Sequence, residues 1–444
     1  MQIRLNEHFT YPKLLRFVLP SIITMIFSSI YSIVDGLFVS NYAGKTPFAA
    51  LNLIYPVFMI IGAIGFMMGS GGSAIVAKTL GEKKDDLARR YFSFTIYSTI
   101  TMGIIFVIIG QIFIKELAQL LGASPEMLPH CITYGRIMLI GLPAFMLQYL
   151  FQVFFVVAER PKLSLFVISL AGCTNIVLDA LFVAVFNFGL AGAAIATIIS
   201  QFIGGFLPIL YFISKINDTS LRLGKTEFYG DFLIKAMTNG SSELMSNVAA
   251  SIVTIIYNKQ LMDLAGEDGV SAYGVIAYVS FIFAAIYLGY VTGSSPIVSY
   301  NYGANNTDEL KNLFKRSLKI TFIVGIVMTS IGILSSDILA HIFTGYDKAL
   351  YELTRQGLTI FSLSYLFSGF NIFGSAFFTA LNNGPISALV SFLRTLVFQV
   401  GTLLILPMFL GVDGIWFSIS VAEALALSVT AFLLFKYRHR YKYA

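Results

Sequence analysis

Long apolar stretches separated by short polar breaks dominate the chain. A helix needs about 20 residues to cross the ~30 Å hydrocarbon core of a bilayer. Stretches of at least this length run roughly over 14–40, 48–77, 92–114, 131–157, 163–186, 190–214, 232–262, 271–299, 316–342, 354–381, 387–410 and 413–436. The breaks carry turn residues, as in Asn382-Asn-Gly-Pro385 and Gly411-Val-Asp-Gly414. The pattern predicts an all-α polytopic membrane protein with about 12 transmembrane helices.

The composition excludes a soluble protein. Hydrophobic residues make up 57% of the 444 residues and charged residues 12%, about half of the ~25% charged residues of soluble domains. The net charge of +6 does not indicate nucleic acid, because the basic residues form short clusters between apolar runs. There the membrane surface is their partner.

The distribution of lysine and arginine predicts the orientation. If the N-terminus is inside and the breaks alternate between sides, 23 of the 29 basic residues fall on the inner side. An excess of basic residues marks cytoplasmic loops. We therefore expect a multi-pass protein of the cytoplasmic membrane with an even number of spans and both termini in the cytoplasm. Nothing in the sequence requires more than a monomer.

The chain is a tandem repeat. Shifted by 222 residues, Gly71, Gly81 and Asp86 fall on Gly293, Gly303 and Asp308, and Gly189 falls on Gly411. Six spans per copy give both copies the same topology, so we expect two pseudo-symmetric six-helix lobes around a central cleft. The predicted divisions are an N-lobe over 1–214, a cytoplasmic linker over 215–231 and a C-lobe over 232–444. Lobes that rock about a cleft provide alternating access, although a duplicated scaffold without transport would share this pattern.

Four polar residues inside apolar spans of the N-lobe are candidates for a cation site: Asp35, Asn175, Asp179 and Thr197. Carboxylate, amide and hydroxyl oxygens are the ligands that hard cations such as Na⁺ prefer. Two adjacent carboxylates also suit reversible protonation, because like charges oppose the ionisation of both. The alternative is a structural network that ties helices together.

The C-lobe lacks this pair, since the counterparts of Asp35 and Asp179 are Tyr257 and Gly401. Its own carboxylate Glu243 has two readings. It either faces the cleft and attracts cationic ligands, or it caps a helix that begins at Asn239-Gly-Ser-Ser242. We expect Arg394 and Glu423 to form a structural contact.

A cleft for flat apolar cations is the expected substrate site. The side chains assigned to it are Tyr31, Met146, Phe151, Gln152, Phe154 and Gln201. The histidines lie in the tails or at the ends of spans, and no His/Cys cluster has the spacing of a metal site. The sequence therefore predicts neither an enzyme nor a bound cofactor.

Several motifs together resemble the multidrug and toxic compound extrusion (MATE) transporters. They are Asp35-Gly36, Gly71-x-x-x-Ile75-Val76 before a basic loop, and Asn175-x-x-Leu-Asp179 followed by Gly189-Leu-Ala-Gly-Ala-Ala-x-Ala-Thr197. The stretches Asn239-Gly-Ser-Ser-Glu243 and Gly266-Glu-Asp-Gly-Val-Ser-Ala-Tyr-Gly274 look like the MepA-type bacterial subgroup. The resemblance covers essentially the whole chain.

The resemblance implies a secondary antiporter that exports organic, often cationic, drugs or toxic compounds in exchange for H⁺ or Na⁺. By the same resemblance Asp35, Asn175, Asp179 and Thr197 form the family's cation site, Pro20 is the bend of the first helix, and Tyr31 is a neighbouring site residue. The rival with the same architecture is a flippase for a lipid-linked precursor, which predicts a strongly cationic cavity. A membrane-embedded enzyme acting on lipids is the rival from another class.

Overall fold

Helices form the described part of the chain, which comprises residues 3–42 and 44–444 of a computed structural model. No β-strand occurs within those residues. We number the helices α1 to α12 by membrane span. The first six are α1 (Tyr11–Tyr42), α2 (Lys45–Gly81), α3 (Asp85–Leu120), α4 (Leu128–Val157), α5 (Pro161–Asp179, continued by the π-helix Ala180–Val185) and α6 (Gly189–Ile213).

The second six contain three interruptions. The helix Gly230–Gly303 has 74 residues and a break at Gly266 (φ 63°, ψ −151°), so it comprises α7 (230–265) and α8 (267–303). The remaining helices are α9 (Thr307–Thr344), α10 (Lys348–Ser362 and Tyr365–Ala380, bent by 47°), α11 (Gly384–Phe392, Leu393–Phe398, Gln399–Ile405 and Pro407–Leu410) and α12 (Val412–Tyr441).

The number of spans agrees with the sequence pattern. Ten unbroken helices are long and apolar enough to cross a membrane, and the bent α10 adds an eleventh. A helix of 74 residues would be about 110 Å long at 1.5 Å per residue, far more than a bilayer needs. The break at Gly266 divides it into two spans. The described chain therefore crosses twelve times.

Backbone geometry repeats at the sequence shift of the tandem copies. Positive φ angles recur in the pairs Gly44 and Gly266, Lys83 and Asn305, Glu159 and Asn382, and Gly189 and Gly411. Each pair is separated by 222 or 223 residues. The two copies thus turn in the same way at the same junctions, which confirms the predicted pseudo-symmetry.

Glycines bring the two lobes together in the half of the molecule that holds both termini. A Cβ atom at Gly71 of α2 would overlap the carbonyl oxygen of Ala236 in α7, and one at Gly240 would overlap that of Met67. The repeat-related contact places Gly293 of α8 against Val18 of α1. Gly81 and Gly303 each lie against the other's helix, as expected for equivalent residues beside a two-fold pseudo-axis.

In the opposite half the lobes separate. One hydrophobic cluster there, which includes Val39, Ile54 and Tyr134, contains only N-lobe residues. Another, which includes Tyr257 and Trp416, contains only C-lobe residues. The two clusters near the termini, by contrast, each contain residues of both lobes. The lobes therefore enclose a cleft that opens away from the termini.

A segment before α1 connects the lobes on the terminal side. Leu5 and Phe9 are completely buried. The amide of Leu5 donates to Glu159 at 2.7 Å, while Asn301 of α8 donates to the carbonyl of Leu5 at 3.2 Å. We call residues 3–10 the N-terminal strap.

Candidate cation site and cleft

Asp35, Asn175, Asp179 and Thr197 come together in the half of the N-lobe that lies away from the termini. Asp35 occupies α1, and Asn175 and Asp179 are one turn apart in α5. Thr197 lies in α6, where its hydroxyl donates to the Ala193 carbonyl at 2.9 Å. The side chains of Asn175, Asp179 and Thr197 are the polar neighbours of the Asp35 carboxylate.

The polar atoms of this group are buried without being satisfied. Asn175 and Asp179 are no more than 1% exposed. Asp35 Oδ1, both carboxylate oxygens of Asp179 and Asn175 Nδ2 have no hydrogen-bond partner. An unpaired buried polar atom costs free energy that a bound ligand can recover. The arrangement therefore fits a proton or a cation shared between the two carboxylates.

Oxygen atoms other than carboxylates would complete such a site. Within the described residues no three His, Cys, Asp or Glu side chains are grouped to hold a metal ion. A hard cation between Asp35 and Asp179 would use the oxygens of Asn175 and Thr197 as its further ligands.

Close packing of α1 on α5 holds Tyr31 beside this site. A Cβ atom at Gly172 would lie 2.5 Å from the Phe27 ring and 2.8 Å from the Tyr31 ring. Gln148 of α4 donates to the Tyr31 hydroxyl at 3.5 Å, and its own Oε1 has no partner. Gln148 therefore extends the polar site towards α4.

The sequence analysis missed Gln148 and three tyrosines that surround the carboxylates. Tyr55 and Tyr134 lie within electrostatic reach of Asp35, and Tyr149 within reach of Tyr31. Tyr134 and Tyr149 also pack against Phe58 and Phe66. Tyrosine is ordinary among the 23 in this chain, so the residue type alone gave no signal.

The aromatic side chains assigned to the substrate cleft lie elsewhere in this conformation. Met146, Phe151 and Phe154 of α4 are no more than 1% exposed. Phe151 stacks on Phe212 and Phe154 packs edge-on against Phe92. These three side chains form the core of the N-lobe and do not reach the surface of the cleft.

Gln152 and Gln201 are buried polar residues whose Oε1 atoms have no partner. Gln201 lies against Gly141, where a Cβ atom would come within 2.6 Å of its Oε1. Both amides therefore face the interior of the N-lobe.

Pro20 and Glu243 lie apart from the cation site. Pro20 is inside α1, and its carbonyl accepts a hydrogen bond of 2.7 Å from Thr24. Glu243 is a half-buried residue within α7, thirteen positions after the helix begins at Gly230. It therefore does not cap a helix start. Among the described residues its carboxylate has no hydrogen-bond or ion-pair partner.

The predicted contact between Arg394 and Glu423 is confirmed. Arg394 of α11 forms an ion pair of 2.7 Å with Glu423 of α12. Asn371 of α10 donates to Glu423 at 2.7 Å and accepts from Thr430 at 2.9 Å. The C-lobe thus contains a closed, neutral network where the N-lobe contains unpaired carboxylates.

Comparison with known proteins identifies a family. The MatE family model matches residues 20–181 and 244–404, about three quarters of the chain. The two matched segments start 224 residues apart, in agreement with the tandem repeat.

Relatives cover almost the whole chain. The multidrug export protein MepA of Staphylococcus aureus (strain NCTC 8325 / PS 47) is 23% identical over 97% of this chain and 94% of its own length. The protein of the same name from Staphylococcus haemolyticus is 23% identical over 98% and 95%.

Solved structures share the fold. An outward-facing multidrug resistance MATE family transporter has a TM-score of 0.93 at 23% identity, with 99% of this chain and 98% of that chain covered. A MATE crystal structure in complex with MaL6 has a TM-score of 0.92 at 24% identity and 97% coverage of both chains.

Proposed function

Because the chain belongs to the MatE family, we propose that it is a secondary antiporter that exports organic, often cationic, compounds in exchange for H⁺ or Na⁺. The observation that carries this proposal is the pair Asp35 and Asp179, buried with unpaired oxygens in one lobe only. The relatives named as multidrug export proteins support the substrate class.

The carboxylates would couple the two fluxes by competition. Entry of H⁺ or Na⁺ from the open side neutralises the Asp35 and Asp179 pair and removes its attraction for a cationic compound. Asp35 lies in α1 and Asp179 in α5, so neutralisation also changes the force between these two helices. One charge that moves inward gains about 2.3 kcal/mol per 100 mV of membrane potential.

The direction of transport follows from the proposed orientation. With both termini in the cytoplasm, the cleft described above opens to the outside of the cytoplasmic membrane. The lobes 1–214 and 232–444 would rock about the contacts at Gly71, Gly240 and Gly81. A monomer contains both lobes and is the proposed functional unit.

The flippase alternative finds no support in the site. It needs free cationic groups for a pyrophosphate, whereas Arg394 is neutralised by Glu423. The polar groups beside the cleft in the N-lobe are carboxylates and amides.

The test is dye efflux from proteoliposomes under a pH gradient or a Na⁺ gradient, each imposed alone. We expect one gradient to drive efflux by the native protein, and Asp35→Asn to lower that rate at least tenfold with an unchanged gel-filtration profile. Asp263→Asn is the matched control, because Asp263 is an exposed carboxylate of α7. Efflux by Asp35→Asn at the native rate would disprove the assigned site.

A further inference from the structure

A second cavity lies at the end of the N-lobe that holds the termini, far from the cation site. Its volume is about 660 Å³, within the ~300–1,000 Å³ range of small-molecule sites. It is bounded by the start of α1, the turn between α4 and α5, and the end of α6 with the segment that follows it. The charged residues that line it are Arg16, Glu159, Arg160, Lys162 and Asp218.

Two of these charges have no partner. Arg160 pairs with Asp218, and the Glu159 carboxylate accepts the hydrogen bond from Leu5. Burial raises the pKa of Glu159, which weakens its negative charge. Arg16 and Lys162 are exposed and make no hydrogen bond or ion pair with any described residue. The cavity therefore presents an excess of positive charge.

The rest of the lining is apolar and faces the surface of the helix bundle. Phe166 of α5 is 60% exposed and Ile216, just beyond α6, is 84% exposed. Leu163 and Pro20 continue the apolar wall inward. Cations beside an exposed apolar wall at the end of a membrane span match both parts of a phospholipid, its headgroup and its acyl chain.

The repeat-related position in the C-lobe has no such cavity. Gly384 corresponds to Arg160, and Asn239 corresponds to Phe17. A Cβ atom at Gly384 would overlap Asn239, so α11 packs directly on α7. Thr238 and Ile386 stand in place of Arg16 and Lys162. The N-lobe thus has an open, cationic site where the other copy has helix packing, and packing alone does not require it.

We propose that this cavity binds an anionic phospholipid, with the headgroup phosphate between Arg16 and Lys162 and an acyl chain against Phe166 and Ile216. The lipid would bridge α1 and α5, the helices that carry Asp35 and Asp179. The site is independent of the transported compound.

The experiment uses tryptophan quenching by brominated lipid in reconstituted full-length protein. Phe166→Trp places a reporter in the cavity wall, while the single native tryptophan, Trp416, is completely buried. Quenching is compared in vesicles of brominated phosphatidylglycerol and brominated phosphatidylcholine. We expect a preference for phosphatidylglycerol of about fivefold or more, the size expected for a basic side chain at an anionic surface.

The charge-removing variant Arg16→Gln/Lys162→Gln should reduce the preference to about one. Lys315→Gln/Lys319→Gln is the matched control, because it removes two exposed charges near the same end of α9 and should leave the preference unchanged. Equal loss in both double variants, or no preference in the Phe166→Trp protein, would overturn the proposal. Loss of the preference in inorganic phosphate, but not in chloride of equal ionic strength, would also overturn it in favour of a free-phosphate site.

Discussion

At the scale of single residues, hydrogen-bond satisfaction distinguishes the two sets of buried charge. Glu423 accepts hydrogen bonds from Arg394 and Asn371, so its charge is fully compensated. Both oxygens of Asp179 lack any partner. Buried charges that serve structure are paired, and this contrast assigns a structural role to the C-lobe network.

The Arg394 and Glu423 pair should behave as one structural unit. Arg394→Leu alone leaves the buried Glu423 carboxylate without its counter-charge, a change that typically costs about 3–5 kcal/mol. We expect a clear fall in the thermal midpoint of the purified protein in detergent. The double variant Arg394→Leu/Glu423→Leu should recover most of that fall, since it buries no charge.

Dye efflux separates this role from a functional one. The double variant should transport at a rate close to that of the native protein. A double variant that melts normally but does not transport would show that the ion pair takes part in coupling.

At the scale of helices, the sequence predicted the twelve spans well because span length and polar breaks are properties of the local sequence. It did not predict the bend of α10 near Leu363, where neither proline nor glycine marks the change. It also placed Met146, Phe151 and Phe154 of α4 at the cleft. Lipid, core and cleft faces of a membrane helix are all apolar here, and α4 is enclosed by its neighbours on nearly every side.

The cation residues, in contrast, could be selected from the sequence because a carboxylate inside an apolar span is rare and costly. Asn175 and Asp179 share a helix face through their spacing of four residues. Gln148 and the tyrosines around Asp35 could not be selected, because only the packing of α4 against α1 brings them there.

Contacts between α2 and α7 depend on glycine, which gives a prediction at this scale. A Cβ atom at Gly240 would overlap the Met67 carbonyl oxygen and lie 3.0 Å from the Gly71 amide nitrogen. Gly240→Ala must therefore push the two helices apart, and we expect a lower thermal midpoint of the purified protein.

Gly401→Ala is the matched control, because Gly401 is also helical in the C-lobe and has no atom within 4 Å of a Cβ position. Alanine is favoured over glycine in a helix by about 1 kcal/mol, so this variant should melt at the native temperature or slightly above it. Equal midpoints for Gly240→Ala and the native protein would refute the close contact.

At the scale of the whole molecule, the cleft is open on one side because the lobes are held together on the other. The N-terminal strap contributes to this closure through both lobes. Its Leu5 amide binds Glu159 of the N-lobe, while Glu309 of the C-lobe accepts from the Phe9 amide at 3.0 Å and contacts His8 at 2.7 Å. Asn312 binds the Phe9 carbonyl at 2.9 Å. Alternating access requires these contacts to break.

Removal of the strap's anchor should shift the molecule towards the state that is open on the terminal side. The Phe9 side chain is completely buried among C-lobe residues, and Phe9→Ala typically forfeits about 3–5 kcal/mol of packing. Asp86→Cys and Asp308→Cys are exposed, repeat-related positions for spin labels, in a background where the exposed Cys173 is serine. We expect electron-spin distance measurements on Phe9→Ala to show a longer component that the native strap suppresses.

Tyr346→Ala provides the control for loss of an aromatic side chain, because Tyr346 is 83% exposed at the opposite end of the molecule. Its distance distribution should match that of the labelled parent. If Phe9→Ala also matches the parent while the protein remains folded, the glycine contacts alone close the terminal side. A longer component confined to Phe9→Ala would instead show that the strap sets the balance between the two access states, since only that variant removes a contact shared by both lobes.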